Sequence, residues 1–431
     1  MKKGEVGLVM MLITVGLGLA LSSSSSRDYY EYDRDRWNPL ASYRTASSLS
    51  MVLNRVRSSI VLPVDGNVYP SGSYNVTLLI GNPPQPYFLD PDTGSDLTWL
   101  QCDVPGKRCT DTPHPRYRPS ELVICEDPIC ASLQPGDYRC EGLQQCDYEI
   151  EYEDGGSSLG VLVKDVFSFK LSSGTQLSPH LALGCGYVRL PVSSHRFIDG
   201  VLGLGRGKSS LTSQLSAQGI VRNIVGHCLS SRGGGYLFFG DGLYYPSRVT
   251  WASMPHESKH YSPGIAELTF AGKSTGFRNL PIIFDSGSSY TYLSSQAYQA
   301  LAFLVKKELM GKPFEEAIDD PTLPLCWKGP RPYKNTQDVT KYFKPFALSF
   351  PSTGKSKTQF EIPPESYLII SSKGNVCLGV LDGTEAGLQN YNIVGDISMQ
   401  DKMVIYENER QMIGWVLASC DKVPKSKAFL T

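Results

Sequence analysis

The chain has 431 residues, of which 41% are hydrophobic and 19% charged, and its formal net charge is −1. A chain of this length predicts two or three domains, and its near-neutral charge gives no general attraction to nucleic acid or to an anionic membrane surface. The 41 glycines and 29 prolines favour short strands joined by many turns.

The N-terminal segment is typical of a secretory signal. Lys2 and Lys3 precede a short apolar run, GLVMMLITVGLGLAL at 7–21, and small serines follow at 22–26. This is the pattern of a cleaved signal. A membrane anchor is the alternative, but the run is at the lower limit of bilayer-spanning length. We therefore predict a signal peptide at 1–22, no stable membrane anchor after cleavage, and passage through the secretory pathway.

The rest of the chain begins with a polar segment and continues as a series of strands. Residues 23–60 carry too few apolar side chains for a core, so they are interpreted as a pro-segment or disordered lead-in. From Tyr74 onward, short apolar or alternating runs such as YNVTLLIG, GVLVKDVFSFKL and GGYLFFGD lie between turn-forming residues. Helical patterns occur at 210–219 and 294–311. The tail, 421–431, is polar. The sequence predicts an all-β protein with minor helices.

A coarse internal repeat divides the strands into two halves. The segment DTGSDLTW at 92–99 recurs as DSGSSYTY at 285–292, each time directly after an apolar strand. About a hundred residues after each copy comes an apolar stretch that contains glycine, FIDGVLGLG at 197–205 and YNIVGD at 391–396. The repeat predicts two duplicated lobes.

The repeated motif places one aspartate, Asp92 or Asp285, at the same point of each half. Glycine permits a tight turn there, and the small hydroxyl residues can hydrogen-bond locally. Two carboxylates that face each other share a proton at acidic pH, because both cannot easily ionise. Such a pair can activate water and protonate a carbonyl, which is amide hydrolysis without metal or cofactor. The alternative is two unrelated, solvated turns.

These motifs make the chain resemble the pepsin-like aspartic proteases, and within them it is similar to the atypical, nucellin-like plant subgroup over residues 60–420. The resemblance implies an all-β, bilobal fold of two β-barrel-like lobes, at 61–247 and 248–420, with the active-site cleft between them. It also assigns Asp92 and Asp285 as the catalytic acids.

The same resemblance assigns supporting roles. In this family, glycines allow the tight turns, hydroxyl residues hold the carboxylates or brace the two loops, and an aromatic pair belongs to the substrate-covering flap. The matching residues are Gly94 and Gly287, then Ser95 and Ser288, then Thr93 and Ser286, and finally Tyr152 with Trp99.

Eleven cysteines in a secreted chain predict disulfides, with at least one cysteine left over. The resemblance implies the pairs Cys109–Cys185, Cys125–Cys146, Cys130–Cys140, Cys228–Cys420 and Cys326–Cys377. Cys102 is then a free thiol, because its usual partner would lie four residues later, where this chain has Gly106. Asn75, in the sequence Asn-Val-Thr, is the predicted N-glycosylation site.

Three further motifs compete with this interpretation. HESKH at 256–260 matches a zinc-protease signature, but that chemistry requires a helix, and prolines flank the stretch. GSSLG at 156–160 matches a nucleophile elbow, although the surrounding pattern predicts a strand hairpin. GLGRGKSS at 203–210 resembles a phosphate loop but lacks its first glycine. We predict a loop at each site, and no metal.

The sequence as a whole therefore predicts a secreted, monomeric plant aspartic endopeptidase, made as a zymogen, active at acidic pH on peptide or protein substrates, and residing in the apoplast or a vacuole. The alternative is a catalytically silent relative that binds or inhibits proteins. Its best support is Pro91, directly before Asp92, since proline cannot donate a ladder hydrogen bond. We expect Pro91→Ile to raise stability or turnover, unless the fixed φ of Pro91 simply suits the strand.

Overall fold

The computed structural model describes residues 59–103, 112–134, 140, 144–152, 156–188, 198–351, 358–388 and 391–424. The predicted signal peptide, nearly all of the predicted pro-segment, the end of the polar tail and Cys109 lie outside these residues. Within the described part, no helix has the length and apolar character needed to cross a membrane.

The first half consists mainly of strands. They are β1 (Ile60–Asn67), β2 (Ser73–Ile80), β3 (Gln85–Asp92), β4 (Trp99–Gln101), β5 (Glu121–Leu122), β6 (Asp147–Glu151), β7 (Ser157–Lys170), β8 (Gln176–Leu177), β9 (His180–Val188), β10 (Gly200–Gly203), β11 (Ile224–Leu229) and β12 (Gly235–Phe239). Two short helices, α1 (Pro128–Ala131) and α2 (Leu211–Ala217), lie between them, and a 3₁₀ turn at Pro246–Arg248 ends this half. Ser210 caps α2, because its side chain accepts the Ser213 amide.

The second half has the same character. Its strands are β13 (Thr250–Ser253), β14 (Gly264–Phe270), β15 (Lys273–Ser274), β16 (Leu280–Phe284), β17 (Thr291–Leu293), β18 (Glu315–Glu316), β19 (Cys326–Lys328), β20 (Phe346–Phe350), β21 (Thr358–Ile362), β22 (Leu368–Ile370), β23 (Val376–Leu378), β24 (Val380–Asp382), β25 (Asn392–Val394), β26 (Lys402–Glu407) and β27 (Met412–Leu417). The helices are α3 (Ser295–Leu309) and α4 (Asp396–Met399), with 3₁₀ turns at Thr336–Asp338, Thr340–Tyr342 and Pro364–Ser366. The α3 helix coincides with the helical pattern predicted at 294–311.

These strands form three sheets, and the largest joins the two halves. It has 15 strands, in the order β13-β27-β26-β11-β12-β1-β2-β3-β10-β4-β9-β7-β5, with β6 and β8 paired to β7. An eight-stranded sheet, β21-β20-β14-β16-β25-β17-β24 with β15 on β14, and a four-stranded sheet, β18-β19-β23-β22, belong to the second half. The fold is therefore bilobal and mostly β. The joining sheet crosses the predicted lobe boundary at 247/248, because β13, β26 and β27 pair beside β11.

The internal repeat is visible in how the strands pair. The strand that leads into the first acidic turn, β3, runs parallel to the distant β10, and the strand that leads into the second, β16, runs parallel to β25. In both halves the strand after the turn, β4 or β17, then pairs antiparallel with the distant strand. These distant strands come from the two apolar glycine-containing stretches that the sequence singled out.

The disulfides correct the predicted pairing in the first half. Cys102 is bonded to Cys185, so the free thiol predicted at Cys102 and the pair Cys109–Cys185 are wrong. The cause is strand register: β4 and β9 run side by side with Leu100 opposite Cys185, which brings the next cysteine within reach.

The two neighbouring bonds are also exchanged relative to the prediction. Cys125 is bonded to Cys140, and Cys130 to Cys146. Cys125, Cys130 and Cys146 are all buried in one apolar cluster, and Cys140 lies at its edge. In the second half, the structure contains the predicted bonds.

Those predicted bonds join Cys228 to Cys420 and Cys326 to Cys377. The first ties β11 to the end of the described chain. The second joins β19 to β23, where the two cysteines are register partners.

Peptide mapping of the unreduced protein checks the exchanged pairs. A glutamate-specific protease cuts after Glu126 and Glu141, which leaves Cys130 and Cys140 on one fragment between those of Cys125 and Cys146. We expect this middle fragment to be linked to both of the others, through Cys125–Cys140 and Cys130–Cys146. Recovery of the Cys125 fragment linked to the Cys146 fragment without the middle one would restore the pairing predicted from sequence and contradict the structure.

A buried histidine lies in the sheet that joins the halves. His227, on β11, is 2% exposed. Its Nε2 lies 3.2 Å from the Tyr406 hydroxyl, and its Nδ1 has no partner within the described part of the chain. Burial lowers the pKa of His227 to about 3. An unfolded histidine titrates near 6.5. The stability that depends on neutral His227 is therefore complete above about pH 6.5 and is lost as the pH falls toward 3.

We expect His227→Gln to make unfolding less sensitive to acid. Below about pH 6.5, the free energy of unfolding should fall less steeply in this variant than in the wild type, by up to about 1.4 kcal/mol per pH unit. Urea unfolding at a series of pH values measures the slope, which is independent of any constant cost of the substitution. The exposed His180, changed to glutamine, is the matched control. Equal slopes in wild type and His227→Gln would exclude His227 as the acid-sensitive group.

Candidate active site

The first acidic turn holds its carboxylate with two short bonds. Asp92 ends β3, and the chain then reverses at Gly94. The Gly94 amide donates to Asp92 Oδ1 at 2.7 Å, and the Ser95 hydroxyl donates to Asp92 Oδ2. The turn therefore fixes both carboxylate oxygens from within the motif itself.

The second acidic turn repeats this arrangement. Asp285 follows β16 directly. The Gly287 amide donates to Asp285 Oδ1 at 3.0 Å, and the Ser288 hydroxyl donates to Asp285 Oδ2 at 2.6 Å. The two Oδ1 atoms are bound by glycines and the two Oδ2 atoms by serines, so the carboxylates are held in the same way.

The glycines of the turns show that the two carboxylates face each other. A methyl group on Gly94 would lie 2.7 Å from Asp285 Oδ1, and one on Gly287 would lie 2.6 Å from Asp92 Oδ1. Each turn therefore packs against the carboxylate of the other half, too closely for any residue with a Cβ. Hence the structure brings together the aspartates that the sequence predicted, although they are 193 residues apart.

Burial and the neighbouring carboxyl group both affect the protonation of Asp92. Asp92 is 7% exposed. Burial, and next the neighbouring Asp285, raise the pKa of Asp92 well above its ordinary value, while the hydrogen bonds from Ser95 and Gly94 oppose that rise. A proton is therefore retained on this carboxyl at pH values where an exposed aspartate would have lost it.

A pair of hydroxyl residues braces the two turns across the interface. The Thr93 amide donates to Ser286 Oγ at 3.2 Å, and the Ser286 amide donates to Thr93 Oγ1 at 2.9 Å. The hydroxyls in turn donate to strand carbonyls of the opposite half, Thr93 to Phe284 at 3.2 Å and Ser286 to Pro91 at 2.7 Å. All four bonds are buried, so neither turn can shift without the other.

The predicted flap pair also meets in the structure. Trp99 Nε1 donates to the Tyr152 hydroxyl at 2.6 Å. Tyr152 follows β6, and its backbone amide donates to the carbonyl of Gly156. Burial, and next the charge of Asp92, raise the pKa of Tyr152, so its hydroxyl is neutral near the carboxylates.

Two residues that support this site were not predicted from the sequence. The carboxylate of Asp96 accepts the Gly207 amide at 2.8 Å, so the glycine-rich loop that resembled a phosphate loop binds a carboxylate of its own half. The Tyr261 hydroxyl donates to the carbonyl of Leu204, beside the first turn. Asp96 belongs to the repeated motif and could have been noticed there, whereas nothing local marks Tyr261.

The competing motifs and the glycosylation sequon lie elsewhere. HESKH at 256–260 forms turns and bends, with no helix to align its histidines. In GSSLG at 156–160, Ser158 is buried and bonds to the Tyr148 hydroxyl at 2.9 Å at the start of a strand. Asn75 is half-buried on β2.

One group of side chains has the composition of a metal site: Asp320 lies close to Cys326 and Cys377. Those two cysteines are bonded to each other, so they offer no thiolate to a metal ion.

Comparison with known proteins agrees with this geometry. Residues 74–241 match the family profile described as xylanase inhibitor N-terminal, and residues 268–416 match the profile described as xylanase inhibitor C-terminal. The chain is 45% identical to an aspartic proteinase of rice (Oryza sativa subsp. japonica), over 89% of this chain and 97% of that protein. It is 26% identical to aspartic proteinase 39 of Arabidopsis thaliana, over 87% of this chain and 80% of that protein.

Solved structures show the same fold at low sequence identity. Basic 7S globulin from soybean superposes with a TM-score of 0.64 at 16% identity, covering 85% of this chain and 98% of that chain. Conglutin gamma, a basic 7S globulin from lupine seeds, superposes with a TM-score of 0.63 at 17% identity, covering 84% of this chain and 96% of that chain.

The proline before the first acid is accommodated in its strand. The Asp92 carbonyl accepts the Leu204 amide at 2.8 Å, so this position of β3 faces β10. Because bonding alternates along a strand, Pro91 faces the other side. On that side, β3 is paired with β2, and this pairing ends at Leu89, before Pro91 is reached. The Pro91 carbonyl accepts the Ser286 hydroxyl instead. The missing N–H therefore interrupts no pairing with β10.

The sequence suggested that Pro91→Ile would raise stability. The position of Pro91 in the structure leads us to expect the opposite. A proline that fits its backbone stabilises by restricting the unfolded chain, so its replacement should lower the free energy of unfolding by about 0.4–1 kcal/mol. Thermal unfolding of the wild type and the variant measures the change. A higher melting temperature in Pro91→Ile would mean that the proline does leave a buried carbonyl without its donor.

Proposed function

Because this chain belongs to the pepsin-like aspartic protease family with xylanase-inhibitor-type halves, we propose that it is an aspartic endopeptidase that hydrolyses peptide bonds at acidic pH. The observation that carries the proposal is the facing pair, in which Asp92 and Asp285 each lie against the glycine turn of the other half. We also place the chain in the nucellin-like plant subgroup, on the motifs that the sequence carries.

The geometry supports a general acid–base mechanism. One carboxyl of the pair keeps a proton and the other is ionised. The ionised carboxylate takes a proton from water as the water oxygen bonds to the scissile carbonyl carbon, and the protonated carboxyl donates to the carbonyl oxygen. The carbon–nitrogen bond then breaks as the departing amine takes up a proton. Ser95 and Ser288 keep the carboxylates aimed inward, because each holds an outer oxygen.

The flap pair fits a role in covering the substrate. The Tyr152 hydroxyl is kept neutral, accepts a hydrogen bond from Trp99 and also interacts with Ser95, the residue that holds Asp92. The family resemblance implies an extended peptide beneath this flap. Peptides or proteins are therefore the proposed substrates.

We propose the rest of the biology from the sequence. A cleaved signal at 1–22 and a pro-segment at 23–60 would make a secreted zymogen, monomeric, residing in the apoplast or a vacuole, and glycosylated at Asn75. The half-exposed side chain of Asn75 is compatible with a glycan.

A second candidate function is a protein-binding or inhibitory role without catalysis. The names of the matching family profiles, which refer to xylanase inhibitors, favour it, as does the fold shared with seed 7S globulins. The intact pair of acids and the flap residues favour the enzyme. Hydrolysis of any peptide by the purified chain decides between the two.

We expect Asp285→Asn to lower peptide hydrolysis by about 10²–10⁴-fold, because an amide cannot share the proton of the pair. Wild-type activity should be highest at acidic pH and should fade as the pH rises through the raised pKa of Asp92, since the pair then loses its shared proton. The acid-treated full-length chain, assayed on a peptide library by mass spectrometry, gives both values.

The matched control for this experiment is Asp338→Asn, which changes an exposed aspartate. Circular dichroism should show both variants folded. If folded Asp285→Asn remains as active as Asp338→Asn, the pair is not the catalyst. If wild type and control are folded but cleave nothing, the inhibitory function is the correct one.

A further inference from the structure

A pair of buried hydroxyl groups lies close to the predicted flap residues. Tyr148, on β6, and Ser158, on β7, are 5% and 1% exposed. The Tyr148 hydroxyl lies 2.9 Å from Ser158 Oγ, so one of the two groups donates a hydrogen bond to the other. Because β6 and β7 pair antiparallel, this bond joins the two strands through their side chains as well as through their backbones.

The hydroxyl pair packs on two glycines of β9. A Cβ on Gly184 would lie 2.6 Å from the Tyr148 ring, and a Cβ on Gly186 would lie 2.8 Å from Ser158 Oγ. Neither glycine has a positive φ, so the space that they leave for the hydroxyl pair, and not their backbone conformation, excludes larger residues. Tyr148 and Ser158 are therefore held closely against β9.

The same two glycines contact Trp99. In the parallel pairing of β4 with β9, Trp99 is the register partner of Gly184. A Cβ on Gly186 would lie 3.3 Å from the Trp99 ring and 3.1 Å from the Tyr148 hydroxyl oxygen. Trp99 and Tyr148 belong to one buried apolar cluster, and Tyr152 packs against it. The hydroxyl pair and the flap pair therefore share one support.

Trp99 connects this support to the first acidic turn. Its Nε1 donates to the Tyr152 hydroxyl at 2.6 Å. The Tyr152 hydroxyl also interacts with Ser95, whose own hydroxyl donates to Asp92. A continuous series of contacts thus leads from Tyr148 to one of the two acids.

Tyr148 and Tyr152 are also linked along the chain. Tyr148, Ile150 and Tyr152 occupy alternate positions on β6 and the residue after it, and they are less exposed than the glutamates between them. Successive side chains of a strand point to opposite faces, so these three share one face. A displacement of β6 at Tyr148 would therefore also displace Tyr152.

The backbone alone holds this part of β7 less firmly than the rest. The register between β7 and β9 shifts between Leu159 and Gly160, directly after Ser158. Such a bulge locally disrupts the ladder of backbone hydrogen bonds. The side-chain bond from Ser158 to Tyr148 lies at the place where the ladder is interrupted.

We propose that Tyr148, through its hydrogen bond to Ser158, is a positioning residue of the reaction, because it fixes β6 on β9 so that the Tyr152 hydroxyl stays beside Ser95. Without this bond the two strands would still pair, since their backbones are in register from Asp147 to Glu151. Tyr152 would then hold its position less strictly. The inference rests on the proposed protease function and assigns a further residue to that reaction.

Removal of either hydroxyl group tests the inference. Tyr148→Phe keeps the ring against Gly184, and we expect its kcat/KM for a peptide that the wild type cleaves to fall about tenfold, since a misplacement of about 1 Å can cost on the order of a hundredfold. Ser158→Ala should give the same fall. The double variant should be no slower than either single variant, because all three lose the same bond.

A Tyr152→Phe background distinguishes positioning from a general loss of structure. This background lacks the hydroxyl that Tyr148 is proposed to position, so adding Tyr148→Phe should change kcat/KM by less than about twofold. General loosening of the fold would instead lower kcat/KM by the same factor in both backgrounds. Long incubations followed by mass spectrometry keep the slow variants measurable.

The matched control is Tyr367→Phe in the second half. Tyr367 is fully buried, and its hydroxyl donates to the carbonyl of Lys344 at 2.7 Å. The variant loses a hydroxyl and a hydrogen bond of the same kind and should keep the wild-type kcat/KM. Circular dichroism checks that each variant is folded, and Ser158→Ala alone carries the comparison if Tyr148→Phe is not.

The outcomes separate this inference from the protease function. A fall in kcat/KM that disappears in the Tyr152→Phe background supports the positioning role. An equal fall in both backgrounds, or wild-type kcat/KM in the folded variants, overturns the positioning role and leaves the protease standing. If the acid-treated wild type cleaves no peptide, the protease function and the positioning role are overturned together.

Discussion

The structure depends on keeping two carboxylates side by side, the buried Asp92 and the half-buried Asp285. Burying a charge is costly unless the group is hydrogen-bonded or keeps its proton. Asp92 and Asp285 each accept an amide and a hydroxyl from their own turn, and the raised pKa of Asp92 lets this carboxyl keep a proton to higher pH. The glycines follow from the same constraint, because a larger residue in either turn would displace the opposite carboxylate.

Two halves can hold such a pair only if they are joined firmly beneath it. Thr93 and Ser286 make that connection at the turns, with amide and hydroxyl bonds in both directions. Further away, β26 and β27 of the second half pair beside β11 of the first, and the bond between Cys228 and Cys420 closes the same sheet. The site is therefore a property of the interface and not of either half alone.

Symmetry around the acids does not extend to the residue that follows each motif serine. Asp96 and Ser289 occupy equivalent positions of the repeat, yet Asp96 bonds within its own half and Ser289 bonds to Gly72 of the other half. An aspartate there accepts backbone amides, whereas a serine can donate to a carbonyl. One side-chain difference thus gives the two duplicated halves different contacts at equivalent positions.

The sequence by itself determined the features that repeat or that act locally. The alternation of apolar residues predicted strands, the helical patterns at 210–219 and 294–311 predicted two helices, and the duplicated motif predicted both acids with their glycines and hydroxyls. Each rests on neighbours within a few residues, so it is readable along the chain.

Tertiary structure alone decided which distant groups meet. Cys102 pairs with Cys185 because β4 lies beside β9 in one register. Pro91 leaves the pairing with β10 intact because its missing N–H faces away from that strand, and the Gly72 carbonyl meets the hydroxyl of Ser289, 217 positions along the chain. Spacing cannot reveal these contacts, since strand register and burial select among many pairings that the sequence permits equally.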